Sequence, residues 1–141
     1  MATPQQTAAL LADEVLFPNA VATDLADHLP RSHLDQVAEA GLYGLFGPGE
    51  AGGMAADQAE GLAVIEALAR GCLTTTFVWL HHHSALSAVA NSATPGLREQ
   101  WLQPMCLGKL RAAFTVSGIV RATRLPWPAP WPWGWRGGAA L

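Results

Sequence analysis

Charge is scarce in this chain, and acid is missing altogether from residue 100 onward. Only 19 of the 141 residues are Asp, Glu, Lys or Arg, and half are hydrophobic. So apolar a chain does not stay globally disordered. Its length suits one ordinary domain with a real core and leaves little room for a second. Residues 1–99 hold all 11 acids against three bases, a balance of −8, whereas residues 100–141 hold five bases and no acid. That asymmetry marks two unlike pieces. The net charge of −3 argues against a generic nucleic-acid binder, whose footprint would be a basic face.

Cysteine is almost absent as well. Cys72 and Cys106 match neither C-x-x-C nor a zinc-ligand spacing. Isolated thiols suit a reducing compartment, and no basic region follows Met1 as a secretory signal would require. The expectation is a cytoplasmic protein. Residues 71–97 contain no Asp, Glu, Lys or Arg, but a membrane-spanning helix needs about twenty predominantly apolar residues. Here His81, His82, His83 and Asn91 interrupt the run, with Ser and Thr scattered between them. A buried helix is the better reading, with no membrane partner.

What is present reads as helices joined by turns. Residues 5–28 place Leu11, Val15, Ala22, Leu25 and Leu29 at spacings that fit one helical face, with a kink or break expected at Pro18. Ser32 is placed to cap a short helix ending at Ala40, which Gly41 closes in the left-handed region. Residues 44–54 hold five glycines and Pro48, and read as loop. Asp57 caps the next helix, with Leu62, Ile65 and Ala69 on one side and Gly71 at its end. Residues 74–92 form an uncharged helix, apolar enough on both sides to be central in a bundle. Thr94 and Pro95 predict a capped start for a last helix, ending near Pro104, with a turn at Gly108.

The predicted fold is therefore all-α. Four to five helices over residues 5–108 pack around the 74–92 helix, with Phe77, Leu80 and Leu86 in the core. An incipient strand follows over residues 112–120, then an irregular Trp/Pro-rich tail. Four of the six tryptophans lie within residues 127–135, interleaved with prolines that forbid helix and central strand alike. The domain reading is 1–108 helical, 109–124 the start of a β domain, and 125–141 tail.

The motifs for chemistry are thin. Consecutive histidines on a helix point about 100° apart, so 81–83 do not form the i, i+4 pair a helical metal site needs. We expect no metal ligands there; two of the three histidines should make polar contacts at helix or domain boundaries and one should face water. Cys72 lies close to them in sequence, but a buried structural cysteine is the commoner case. The glycines of residues 47–53 follow no strand and lack the lysine of a phosphate loop.

Five segments in order do carry a resemblance. They are 34–44 (LDQVAEAGLYG), 48–53 (PGEAGG), 64–69 (VIEALA), 71–76 (GCLTTT) and 97–104 (LREQWLQP) with Gly108. Together they resemble the N-terminal helical domain of the flavin-dependent acyl-CoA dehydrogenases, over residues 8–121. The resemblance implies an oxidoreductase acting on the CH–CH bond of acyl-CoA thioesters. In that family FAD lies between a following β domain and a C-terminal bundle, and the helical domain gives one wall of the acyl pocket. Phe114, Val116 and Ser117 align with the family's flavin-contacting segment, Ser117 in the hydroxyl position. No residue matches the family's catalytic glutamate, so no catalytic residue is assigned.

Gly118-Ile119-Val120-Arg121 departs from the Glu-Pro and Gly-Ser-Asp that usually follow. The implied function is a truncated family member, inactive alone, whose intact relatives take acyl-CoA and assemble as homo- or hetero-oligomers. Two alternatives stand: a non-catalytic module or subunit of a mixed oligomer, and a fragment of a related flavin monooxygenase or acyl oxidase. The tail likewise has two readings, a frameshift in a GC-rich gene after Arg124 or a genuine short protein.

Overall fold

A computed structural model of the protein describes residues 2–113. Within them six α-helices form, linked by short turns, and no strand appears. Helix α1 (Pro4–Leu11) begins at a reciprocal cap: the Thr3 hydroxyl accepts the Gln6 amide and Gln6 returns to the Thr3 amide. Pro4 sits in the first turn, where its missing N–H costs nothing. The chain then widens into a single π turn, Ala12–Leu16, before α2 (Ala20–Leu25). Next come α3 (Arg31–Glu39), α4 (Gln58–Gly71), α5 (Leu73–Ala90) and α6 (Leu97–Cys106).

Helix α4 packs on α1 and the π turn, and α5 lies between α4 and α6, touching α3 and the 3-10 turn Leu42–Gly44. One core cluster joins Ala8, Leu16, Val37, Leu42, Tyr43, Leu45, Val64, Leu68 and Trp79. A smaller one joins Ala51, Leu86, Leu102, Met105 and Cys106. Burying each aliphatic or aromatic side chain contributes about 1.5–3 kcal/mol, so these contacts carry the fold.

The helical bundle agrees with the sequence reading, and several of its details do not. The long first helix is broken in two, because Phe17 donates five residues back to the Ala12 carbonyl and Pro18 donates nothing. The extra residue in that turn rotates the helical phase. Ala8, Ala12, Leu16 and Thr23 are buried, while Ala22 and Leu25, expected inside, are exposed. In α4 the buried residues are Gly61, Val64, Leu68 and Gly71, one position before the expected Leu62, Ile65 and Ala69. Two glycines set that phase by admitting close neighbours: a Cβ on Gly71 would stand 2.8 Å from the Ala12 Cα.

Ser32 is not the cap of α3. Pro30 holds that position without a side-chain bond, and Gly41, at φ 75°, closes the helix as expected. The start of α6 also differs, since Gly96 in the left-handed region precedes Leu97 and Thr94 caps nothing. As expected, α6 ends shortly after Pro104, at Cys106. The Pro104 carbonyl takes the amides of both Lys109 and Leu110 beyond the last turn. Phe77 is 60% exposed, outside the core assigned to it; Leu80 is half-buried and Leu86 is inside. Ala112 and Ala113, expected to open the strand, have no regular structure, and the rest of that strand and the tail lie outside the described residues.

Candidate functional site

The buried face of α5 is where the chemistry gathers. It presents Thr75, Thr76, Trp79, His82, His83 and Leu86 inward. The indole N–H of Trp79 donates to the Leu42 carbonyl at 3.3 Å, tying α5 to the turn after α3. The His82 ring meets Tyr43 edge-on, with centroids 4.7 Å apart. Neighbouring His83 lies between Trp79 and Phe46, at 4.7 and 5.1 Å, again edge-on.

Burial in this aromatic cage drives both imidazoles neutral. The pKa of His82 falls to about 4, first because its ring is desolvated and then because Arg111 repels its charge; the Met105 backbone offsets part of this. That of His83 also falls to about 4, by desolvation and by repulsion from His82, opposed by the Leu42 backbone. His82 Nε2 and both nitrogens of His83 make no well-formed hydrogen bond. The third histidine, His81, is half-buried and donates Nδ1–H to the Phe77 carbonyl at 2.8 Å. Two of the three are thus caged by aromatics, with a polar contact of the kind expected at helix or domain boundaries made only by His82, and the third is only half open to solvent.

His82 does make one polar contact, to the segment leaving α6. The Ala112 amide donates to its Nδ1 at 3.3 Å, which places the ring proton on Nε2. Beside it, Arg111 donates to Asp35 of α3 at 2.6 Å, and its guanidinium lies 5.2 Å from the Tyr43 ring centre. The Tyr43 pKa rises through burial, countered by Arg111. Sequence reasoning missed this set. Asp35 and Arg111 stand 76 positions apart, and nothing local to either pairs them.

Neither cysteine is a poised nucleophile. Cys72 accepts a hydrogen bond from the Thr75 hydroxyl at Sγ, and its carbonyl accepts from Thr76. Burial pushes the Cys106 thiol up, aided by Glu50. The glycine-rich loop is packing, too. Several of its amides bond within the loop: Gly47 donates to Gly44, Gly52 to Gly49, Gly53 to Pro48, Met54 to Gly44 and Ala55 to Gly47. Gly53 lies directly against the backbone of Gly47, where a Cβ has no room. Phe114, Val116 and Ser117, the residues aligned with flavin contacts, lie outside the described residues.

A second region faces outward. Between α2 and the junction of α4 with α5 runs an open groove of about 330 Å³, lined by Phe17, Val21, Asp24, Cys72, Leu73 and Thr74. The Thr74 hydroxyl donates to Asp24 at its edge. Phe17, Val21 and Leu73 are each more than 60% exposed, as are Leu25 and, at the limit, Phe77. No helix among the described residues is long and apolar enough to cross a membrane.

Comparison with known proteins accounts for this architecture. Residues 3–109 match the family model for the acyl-CoA dehydrogenase N-terminal domain. The short-chain specific acyl-CoA dehydrogenase of Bos taurus mitochondria is 26% identical over 114 residues, covering 80% of this chain and 28% of the bovine one. Among solved structures, a chain from work on the electron transferring flavoprotein of Acidaminococcus fermentans and flavin-based electron bifurcation superimposes with a TM-score of 0.69. It is 25% identical, covering 79% of this chain and 30% of that one. The chain thus spans less than a third of either relative's length. With about three quarters of its residues matched in this way, the chain belongs to the acyl-CoA dehydrogenase family, as a bearer of that family's N-terminal domain.

Proposed function

We propose that this chain supplies the helical wall of an FAD-dependent dehydrogenase of acyl-CoA thioesters and does not itself carry the redox centre. The observation behind this is the glycine loop: the amides of Gly47, Gly52 and Gly53 go to carbonyls of the same loop, which packs as a turn. A flavin brings the capacity to accept hydride, while a protein must bring orientation and a base within hydrogen-bond reach. In this reading Phe114, Val116 and Ser117 meet the flavin ring, and the remaining contacts come from parts of the fold beyond this chain's length. Positioning is worth on the order of 7–11 kcal/mol in such reactions, and a single wall supplies little of it.

The experiment has two arms. The chain purified alone should emerge colourless from gel filtration after incubation with FAD, and should not turn over acyl-CoA. A chimera placing residues 3–109 in front of the remaining domains of a short-chain relative should retain yellow flavin that bleaches with acyl-CoA. Stoichiometric flavin on the lone chain, bleached by substrate, would overturn the proposal.

The outward apolar face supports a second reading, that of a non-catalytic subunit in a mixed oligomer. Large apolar side chains gathered on one face mark an interaction surface. The partner in that reading carries flavin and base and covers Phe17, Val21 and Leu73. Native mass spectrometry of the protein from its source, showing a stable complex with a longer flavoprotein chain, would favour this reading over the first.

A further inference from the structure

The segment from Leu110 to Ala112 leaves the helical domain under more restraint than a trailing end requires. Leu110 and Ala112 pack against the Leu86–Met105 cluster, and Leu110 donates to the Pro104 carbonyl. Arg111 reaches across to α3 and over the Tyr43 ring, while the Ala112 amide turns the other way into His82. Exposed backbone donors are ordinarily satisfied by water. Here a buried imidazole takes that place, although its other nitrogen is left without a partner.

We propose that His82, Arg111, Asp35 and Tyr43 form a clasp that sets the direction in which the chain leaves the helical domain, and so act as positioning residues for the segment after Ala113. Two anchors hold successive residues, one through a side chain and one through the backbone, and together they restrict the chain at residues 111 and 112. Arginine suits its anchor because its planar guanidinium can pair with a carboxylate and lie against an aromatic ring at once, which lysine cannot. The consequence for Phe114, Val116 and Ser117 rests on the proposed flavin contacts; the clasp itself does not.

Amide hydrogen exchange on the full chain, read by nuclear magnetic resonance, tests the clasp without any flavin. His82→Phe keeps an aromatic ring but removes the acceptor. His82→Asn gives up the ring and retains an acceptor near the position of Nδ1. The clasp predicts that Ala112 exchanges about tenfold faster in His82→Phe and within about twofold of the wild type in His82→Asn. Val64 and Leu68, in α4, should hold their protection in both.

A ring that merely fills space predicts the reverse order, with Phe tolerated and Asn loosening the core. Should either variant fail to fold, Ala112→Pro deletes the donor from outside the core. It should shift the His82 Nδ1 resonance and speed trypsin cleavage after Lys109. A wild-type Ala112 amide exchanging at the rate of a free chain, or an Ala112→Pro variant with unchanged His82 resonances, would overturn the proposal. A failed chimera with a protected Ala112 amide would instead count against the flavin reading alone.

Discussion

The inward and outward faces of α5 each mix polar and apolar residues. Inward lie Thr75, Thr76, His82 and His83 with Trp79 and Leu86; outward lie Leu73, Phe77 and Val78 with Ser84 and Ser87. On the inner face the threonines find local partners and the imidazoles lose their charge. The Thr76 hydroxyl bonds back to the Cys72 carbonyl, Thr75 bonds to the Cys72 thiol, and the imidazoles shed their charge. On the outer face, apolar side chains stay open beside the groove. In a domain that is part of a larger family architecture, such a face is available for a neighbour. Trp79 and Leu86 anchor the helix in the core, and the polar residues beside them fix its internal geometry.

The sharpest way to break this comparison is to truncate one aromatic from each face. Trp79→Ala should cost about 3–5 kcal/mol, because it empties the centre of the core and frees the Leu42 carbonyl. Phe77→Ala, on the open face, should stay within about 0.5 kcal/mol of the wild type. Urea unfolding of the two variants measures both, and similar losses would refute the assignment of faces.

Acid should come next in size. Both buried histidines have folded pKa values of about 4, below the ordinary 6.5 of an imidazole in the unfolded chain. Above pH 6.5 both rings are neutral in either state and their stability is fully present. As the pH falls from 6.5 to 4 the unfolded chain takes up protons first, so stability is lost. Below 4 these two groups add no further slope. The loss reaches on the order of 3 kcal/mol for each ring. His83→Phe should flatten the pH dependence of the urea midpoint in that window.

The smallest of these effects belongs to the seam between α4 and the π turn. Gly71→Ala would drive a methyl group into Ala12, 2.8 Å away, and should cost about 1–3 kcal/mol in the same assay.

Turn glycines and the Asp57 cap, which a second residue answers, were legible in the sequence, whereas the caps expected at Ser32 and Thr94 did not form. Asp57 caps α4 with Glu60 answering it, and Gly41 and Gly108 take up left-handed conformations. Helical phase was harder to read. A π turn is invisible to a 3.6-residue count, and glycines that set a buried face score as gaps in an apolar pattern. The mixed faces of α5 could not be read from hydropathy, because its uncharged run has no polar side to oppose an apolar one. The His82–Ala112 and Arg111–Asp35 contacts were missed for another reason: each joins residues remote in sequence. The resemblance over 34–44, 48–53 and 97–104 did identify the family, because an ordered series of short segments survives where single contacts are illegible.

The inward placement of the histidines has a direct readout in the ring nitrogens. Two-dimensional proton–nitrogen spectra of the side chains, recorded from pH 8 to 5, report protonation and tautomer together. Neutral rings for His82 and His83 at pH 5, with the His82 proton on Nε2, are the predicted result. Two rings that charge together near pH 6.5 would place them in water and contradict the account of α5.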